Sequence, residues 1–360
     1  MKKQLQIFFD FLRFCIGSAK DIPSSLKEAD WKELYAIAQK QCLVGVLFDG
    51  IKKLPAEQVG MKKELLLQWM AESQMLEKAN VRLNDAAIQV SEWFRKKGFR
   101  TCILKGQGNA LMYPNHYSRT PGDIDIWVEG GDKRVISFVR SISPHEKACY
   151  HHIEFPSYKG VEVEVHYRPS FLLCFWHNRK LQKYYERVKE EQFSHRVMLG
   201  EQGEIVIPTV EFNLIFQLTH IFSHLMNEGI GLRQLLDYYF VLSMLSVSCE
   251  MLTSLQKELK ELGLWKFAGA IMYIMQEVFG MPASRLIVPP KEKCGKFVLN
   301  EVLEAGNFGR HDARNRFGRS QIGHNLQRVY RDIRLVRYFP AEALCEPLFR
   351  FWHFFWRKWH

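Results

Sequence analysis

Apolar side chains recur at helical spacing through most of the chain, and only its middle follows another rhythm. Leu5, Phe8, Phe9, Leu12 and Ile16 share one helical face, and Leu34, Ile37 and Ala38 repeat the pattern after Trp31. Residues 1 to about 57 therefore read as short helices, punctuated by Pro23 and Pro55. Leu76, Ala79, Leu83, Ala87, Val90 and Phe94 form an unbroken stripe, which predicts one long helix over about 62–97. Gly98 stops it, and Arg95, Lys96 and Lys97 suit the electronegative end of a helix.

Beyond Gly98 short alternating segments appear. Residues 100–104 form a brief apolar strand that stops at Lys105-Gly106-Gln107-Gly108, and a short helix through Ala110 and Leu111 is closed by Tyr113-Pro114-Asn115. Residues 123–128 alternate as a strand, followed by Gly130-Gly131 and a helix near 133–141. Two further strands are predicted over 149–155 and 161–167, joined through Pro156 to Gly160. A helix over about 171–191 and a hairpin across 200–203 follow. Strands and helices intermix without strict alternation, which gives an α+β class with a mixed sheet rather than a doubly wound one. From Pro208 onward the pattern is helical, first through Phe212, Ile215, Phe216, His220 and His224, then over 231–247, 250–262, 264–279 and 294–304. A last helix opens at Pro340. The expected organisation is an N-terminal helical segment (1–57), an α/β core (58–207) and a C-terminal helical domain (208–360).

Composition narrows the class. Of 360 residues 47% are hydrophobic and 25% charged, which excludes a disordered or fibrous chain. No stretch reaches the roughly 20 uninterrupted apolar residues of a membrane span. Met1-Lys2-Lys3-Gln4 leads into an amphipathic pattern, not a signal-peptide core. The eight cysteines form no Cys-x-x-Cys pair, which predicts reduced thiols in a cytoplasmic protein and argues against a disulfide framework or a zinc site. A net charge of +11 favours an anionic partner: nucleotide phosphates, nucleic acid or an acidic membrane surface.

Candidate chemistry gathers between Lys105 and His166. Along a strand, Asp123 and Asp125 project from one face while Ile124 and Ile126 face the other. Two carboxylates held side by side repel unless a cation intervenes, and hard oxygen pairs of this kind suit Mg2+. A solvated edge strand would show the same dipeptide pattern. In Val161-Glu162-Val163-Glu164-Val165-His166 the valines face one way and Glu162, Glu164 and His166 the other; if the two strands are neighbours, Glu164 becomes a third acid beside the aspartates. The Lys105-Gly106-Gln107-Gly108 turn places a cation and free N–H groups where a phosphate can bind. It lacks the spacing of a P-loop.

These motifs are similar to those of an uncharacterised bacterial branch of the nucleotidyltransferase superfamily, whose members resemble DNA polymerase β and the antibiotic nucleotidyltransferases. The resemblance is carried by Ile103-Leu104-Lys105-Gly106, Tyr113-Pro114 and the run Arg119 to Val128. It extends to His151-His152, Glu164-Val165-His166 with Tyr167-Arg168, and the helical Leu218-Thr219-His220 and Gly231 to Asp237. It implies a nucleotidyltransferase-type fold, with Asp123, Asp125 and Glu164 as catalytic, metal-binding carboxylates. Lys105, Gly106, Gln107, Gly108 and Arg119 would then bind the nucleotide. His152, His166, His220 and Arg233 are candidate pocket residues. No serine follows Gly106, the gap to Asp123 is longer than usual, and the third acid is Glu rather than Asp. The implied reaction is Mg2+- or Mn2+-dependent transfer of a nucleoside monophosphate from an NTP to the hydroxyl of a small molecule or protein, with release of pyrophosphate. Two other readings are a catalytically silent nucleotide-binding or interaction protein and an enzyme that modifies nucleic acid.

Outside that region the signals are weaker. His220 and His224 have the spacing of a zinc-binding pair but lack a third ligand nearby, and buried or pocket-lining histidines are the better expectation. Arg233 and Asp237, also four apart, predict an ion pair that could line the acceptor pocket. Arg310, Arg314, Arg316, Arg319, Arg328, Arg331, Arg334 and Arg337 would attract nucleic acid, but no nucleic-acid module accompanies them, so a solvated helix face that steers the nucleotide is favoured. The last helix carries Leu348, Phe351, Trp352, Phe355, Trp356 and Trp359 beside Arg350, Arg357 and Lys358. That pattern suits peripheral contact with a membrane surface or, the favoured reading, docking on the same chain or a second copy.

Overall fold

Four short strands with strict two-residue alternation build the sheet on which everything else is arranged. The computed structural model describes residues 3–55, 57, 59–246, 248–312, 314 and 321–359. In it β1 (Thr101–Ile103), β2 (Ile124–Val128), β3 (His152–Tyr158) and β4 (Val161–His166) lie in the order β1-β2-β4-β3. The central pair, β2 and β4, is parallel, with Asp125 opposite Glu164; β1 and β3 pair antiparallel at the edges. Pro156 lies inside β3 rather than in the connection, beside a register shift between Phe155 and Tyr158. An edge strand tolerates a proline there. The expected α+β class is the observed one.

Alternation decides which side of the sheet is core and which is chemistry. Ile124, Ile126 and Val128 are buried with Val163 and Val165 against α4 (Lys63–Lys96) and α6 (Gly131–Ile142), through Leu83, Ala87, Val90, Phe94, Val135 and Val139. Each fully buried aliphatic side chain contributes roughly 1.5–3 kcal/mol. Asp125 and Trp127 face the opposite side. Trp127 packs on Phe193, at the end of α7 (Phe175–Gln192), and on Phe212 of α8 (Val210–Asn227), with ring centroids 4.5 and 5.9 Å away. α7 starts four residues later than its periodicity suggests, because residues 171–174 run irregularly past Asn178, whose side chain accepts from the Leu172 N–H.

The helices of both chain ends share one core over that second side of the sheet. α1 (Lys3–Ile16), α2 (Trp31–Lys40) and α3 (Val44–Ile51) pack into the same cluster as α8, α9 (Leu232–Met244), α10 (Cys249–Glu261), α11 (Trp265–Glu277) and α12 (Glu292–Ala305). Asp30 caps α2 and Thr209 caps α8 through their side-chain oxygens. The short α5 (Gln107–Ala110) follows β1, and the hairpin β5 (Arg196–Leu199) and β6 (Gly203–Val206) stands beside it. α13 (Gln321–Val336) and α14 (Pro340–Trp359) form a helical pair, and α14 docks by Phe349 on Tyr150 and Phe171. Leu344, Leu348, Phe351, Phe355 and Trp359 on its other side are exposed.

Several arginines expected on a solvated face are turned inward. Arg314 clamps Glu301 and Asp312, Arg334 reaches Glu301 at 3.1 Å, and Arg331 donates to the main-chain oxygens of Asn227 and Glu228. Buried carboxylates and helix-end carbonyls recruit them, and sequence spacing does not reveal such distant acceptors. Arg316 and Arg319 lie outside the described residues. All eight cysteines are unpaired. Among the described residues no helix is long and apolar enough to cross a membrane.

Candidate active site

The parallel pairing of β2 with β4 brings the three predicted acids together. Asp123 directly precedes β2, Asp125 lies within it, and Glu164 is the register partner of Asp125. One oxygen of each lies within 4.8 Å of the other two. β1 delivers a cation to the same point. Leu104 donates its N–H to the Asp125 carbonyl at 2.9 Å, and Lys105, one residue on, places Nζ 2.9 Å from Asp125 Oδ1 and 3.1 Å from His220 Nε2. Gly106 then turns the chain with φ of 66°, and a Cβ there would meet the Asp123 carbonyl oxygen at 3.7 Å. This backbone conformation disfavours other residues.

Three imidazoles complete the surround. His166 Nε2 donates to Asp125 Oδ1 at 2.9 Å and lies 3.4 Å from Glu164 Oε2, while its Nδ1 donates to the Arg168 carbonyl at 3.3 Å. A carbonyl and a carboxylate only accept, so both ring nitrogens carry protons and His166 is an imidazolium. Burial disfavours that charge, but hydrogen bonds to Asp125 and Glu164 prevail and push its pKa up to about 9. His152 Nδ1 lies 3.4 Å from Glu164 Oε2 and 3.0 Å from His151 Nε2. Burial brings His152 down to about 4, Glu164 offsetting only part of the effect.

The electrostatics set the three acids apart. Burial would raise the Asp125 carboxyl, yet Lys105 and His166 hold it well below the usual carboxylate range. Asp123 is pushed up, first by the neighbouring charge of Asp125 and then by burial. Glu164 is lowered because the His166 hydrogen bond outweighs burial. Lys105 stays charged against its burial because Asp125, Asp123 and Glu164 surround it, and His220, buried beside that ammonium, is held far below the ordinary range and is neutral. Three carboxylates thus face two cations, Lys105 and His166, an excess of one negative charge. The donor set is three hard oxygens, which fits Mg2+ or Mn2+.

A cavity of about 650 Å3 opens in front of the triad. Arg233 and Arg310 line the same cavity, as do His220, His224 and Gln217 of α8. Arg233 is buried, donates to the Thr120 carbonyl at 3.0 Å and keeps Nε without a partner. Carboxylates and guanidinium groups lining one cavity match a phosphate chain bound through a metal.

Residues 27–280 match a family described as uncharacterised nucleotidyltransferases. The chain belongs to that family. Nucleotidyl transfer is therefore its general activity and a nucleotide its class of substrate. No curated protein matches the chain. Among solved structures it is similar to an antigenic nucleotidyltransferase-like protein from Paracoccidioides brasiliensis, at 15% identity and a TM-score of 0.32, over 61% of this chain and 95% of that one.

Seen from inside this nucleotidyltransferase, the expected nucleotide-binding turn divides. Lys105 and Gly106 line the cavity, but Gln107 and Gly108 do not; Asn109 does, and bonds Gln217 at 2.8 Å. Gly108 instead packs on Ile207, where a Cβ would lie 3.0 Å from that side chain. Arg119, expected at the phosphates, also lines the cavity, but its guanidinium closes on Asp237 with two bonds of 2.8 Å, and Tyr113 donates to the same carboxylate at 2.7 Å. The expected Arg233–Asp237 pair is thus replaced by an Arg119–Asp237 pair, since the bidentate fork reaches Asp237 from the loop before β2. His152, His166, His220 and Arg233 all line the cavity. The His220 and His224 rings meet edge to face with centroids 4.3 Å apart, the first directed at Lys105 and the second 3.6 Å from Glu228, which does not make a zinc pair. His151 and Arg310 escaped prediction as site residues; only the His151-His152 doublet on a strand signalled the first, and nothing local signalled the second.

Proposed function

We propose that the protein moves a nucleoside monophosphate from an NTP to an acceptor hydroxyl, with release of pyrophosphate and with Mg2+ or Mn2+ held by Asp123, Asp125 and Glu164. The observation that supports this reading is the convergence of those three carboxylates, within 4.8 Å, in one cavity that Arg233 and Arg310 also line. A divalent ion bound there supplies Lewis-acid stabilisation of phosphoryl charge and makes a nearby hydroxyl easier to deprotonate. The chain's own groups do the rest. Lys105 and His166 keep Asp125 ionised while it is buried, so the metal-binding form needs no proton loss from that acid. Arg233, Arg310 and Lys105 neutralise the phosphates, a preorganised electrostatic role in a water-poor cleft. Arg119 acts one step back, by fixing Asp237 and the loop that leads into Asp123. The acceptor, a small molecule or a protein hydroxyl, enters beside Asn109, Gln217 and His224 in this reading, and a cytoplasmic setting with reduced thiols goes with it.

The test is Mg2+-dependent binding of a triphosphate with a non-hydrolysable α–β bridge, followed by release of pyrophosphate from the natural NTPs. Wild-type protein is expected to bind only with the metal, and Asp125→Asn to lose both binding and release while keeping its helical circular dichroism. Equal behaviour of the two proteins would reject the assignment.

A further inference from the structure

Three imidazoles crowd one edge of the acidic triad, more than phosphoryl transfer calls for. His152 of β3 stands opposite His166 of β4 in the antiparallel register, and Glu164 precedes His166 by two residues on the same face. Two paired strands therefore deliver three ligating side chains to one point, with ligand atoms within 4.8 Å of one another. His152 Nδ1 and His166 Nε2 are each 3.4 Å from a single oxygen, Glu164 Oε2. That separation is longer than the roughly 2.7–3.2 Å typical of an N–H···O hydrogen bond, so these are long, weak contacts. The same separation is the edge of a tetrahedron whose centre lies about 2.1 Å from each corner, the bond length of Zn2+ to imidazole and carboxylate.

We propose that His152, Glu164 and His166 form a second metal site, beside the acidic triad and selective for a borderline ion such as Zn2+ over Mg2+. Two imidazoles and one carboxylate are the donor set of an open zinc centre, whereas Mg2+ demands oxygen. The outer contacts are in place. His166 Nδ1 faces the Arg168 carbonyl at 3.3 Å, which fixes the ring and aims Nε2 inward, as ligating histidines require. On coordination the Nε2 proton leaves to solvent and the bond to Asp125 Oδ1 is given up, while Lys105 remains on that oxygen at 2.9 Å. His151 Nε2, 3.0 Å from His152 Nδ1, offers a further nitrogen for an open position. The site shares Glu164 with the triad, but its existence does not depend on the transfer reaction proposed above.

The experiment uses the full chain and Zn2+ alone, in competition with a chromogenic chelator and in millimolar Mg2+, with Co2+ substitution as a spectroscopic readout. One tightly held equivalent of Zn2+ is expected, and Co2+ visible bands without a thiolate charge-transfer band. His152→Ala and His166→Ala should each weaken Zn2+ by about 10-fold or more. Asp123→Asn and Cys149→Ser should leave it unchanged. The partly exposed His152 carries the test, with His152→Gln as a second variant whose fold is checked by circular dichroism. No retained Zn2+, or retention that survives loss of His152, overturns the proposal. So does equal loss in Asp123→Asn, which would put the ion in the triad, or loss in Cys149→Ser, which would put it at the neighbouring Cys149, His151 and His152 group.

Discussion

Two buried aspartates, one on β2 and one on α9, are compensated in opposite ways. Asp237 is held by the Arg119 fork on both oxygens and by the Tyr113 hydroxyl, all at 2.7–2.8 Å. Its cation cannot lose its proton, and the pair is saturated within the protein. Asp125 holds Lys105 and His166 on one oxygen, each cation is drawn to a second partner as well, and two more carboxylates stand beside it. Burial and a nearby cation are common to both. The distinguishing property of the candidate site is its uncompensated negative excess facing an open cavity.

That contrast can be broken most sharply by exchanging each aspartate for its amide. Asp125→Asn is expected to lower NMP transfer by about 100- to 1000-fold, the size of effect seen when a charge-stabilising group leaves an active site, with little change in the thermal melt. Asp237→Asn leaves Arg119 buried without its counter-charge and is expected to cost about 3–5 kcal/mol of stability, read from denaturant unfolding. A stable Asp237→Asn protein, or one as inactive but as stable as Asp125→Asn, would erase the distinction.

The arginines give the next step. Arg233→Met should weaken Mg2+–NTP binding by roughly 10- to 100-fold, since a hydrogen bond to a charged group is worth about 1.5–3 kcal/mol. Arg119→Met should act mainly on stability, with nucleotide affinity in the folded fraction within about threefold of wild type, a shift of under about 1 kcal/mol. Calorimetric titration beside a melting curve separates the two, and the reverse pattern would return Arg119 to the phosphates.

Why the convergence of three acids is legible in the sequence and the partner of Arg119 is not is a matter of range. Asp123, Asp125, Glu164 and their valine and isoleucine neighbours are legible because alternation fixes which face each side chain takes, and only the pairing of two strands had to be supplied by the fold. The long stripe of α4 and the helices after Pro208 are legible for the same local reason. The ion pair of Arg119 is not legible because its partner lies 118 positions away on α9, and no local period encodes that. The placement of Gly108 outside the cavity is not legible because its contact with Ile207 is tertiary. Lys105 was legible as a cation at the turn, but its direction, onto Asp125 and His220, was not.

A third buried acid supplies the weakest and most selective test, because its neighbour is another carboxylate rather than a cation. Asp332 of α13 is buried beside Glu346 of α14, and burial together with that like charge pushes its pKa up to about 7, against the partial relief of Arg350 and Arg331. The unfolded value is near 3.8, so between the two the native state holds a proton that the unfolded chain releases. The associated stability is fully present below about pH 4, falls as pH rises, and is lost once pH passes the native value. Asp332→Asn cannot ionise. It should match wild type near pH 4 and exceed it by on the order of 1 kcal/mol above pH 7, after allowance for solvent screening. Urea midpoints at several pH values provide the measurement. Parallel curves for the two proteins would mean that Asp332 is ionised in the native state at neutral pH, compensated by Arg331 and Arg350 as Asp237 is by Arg119.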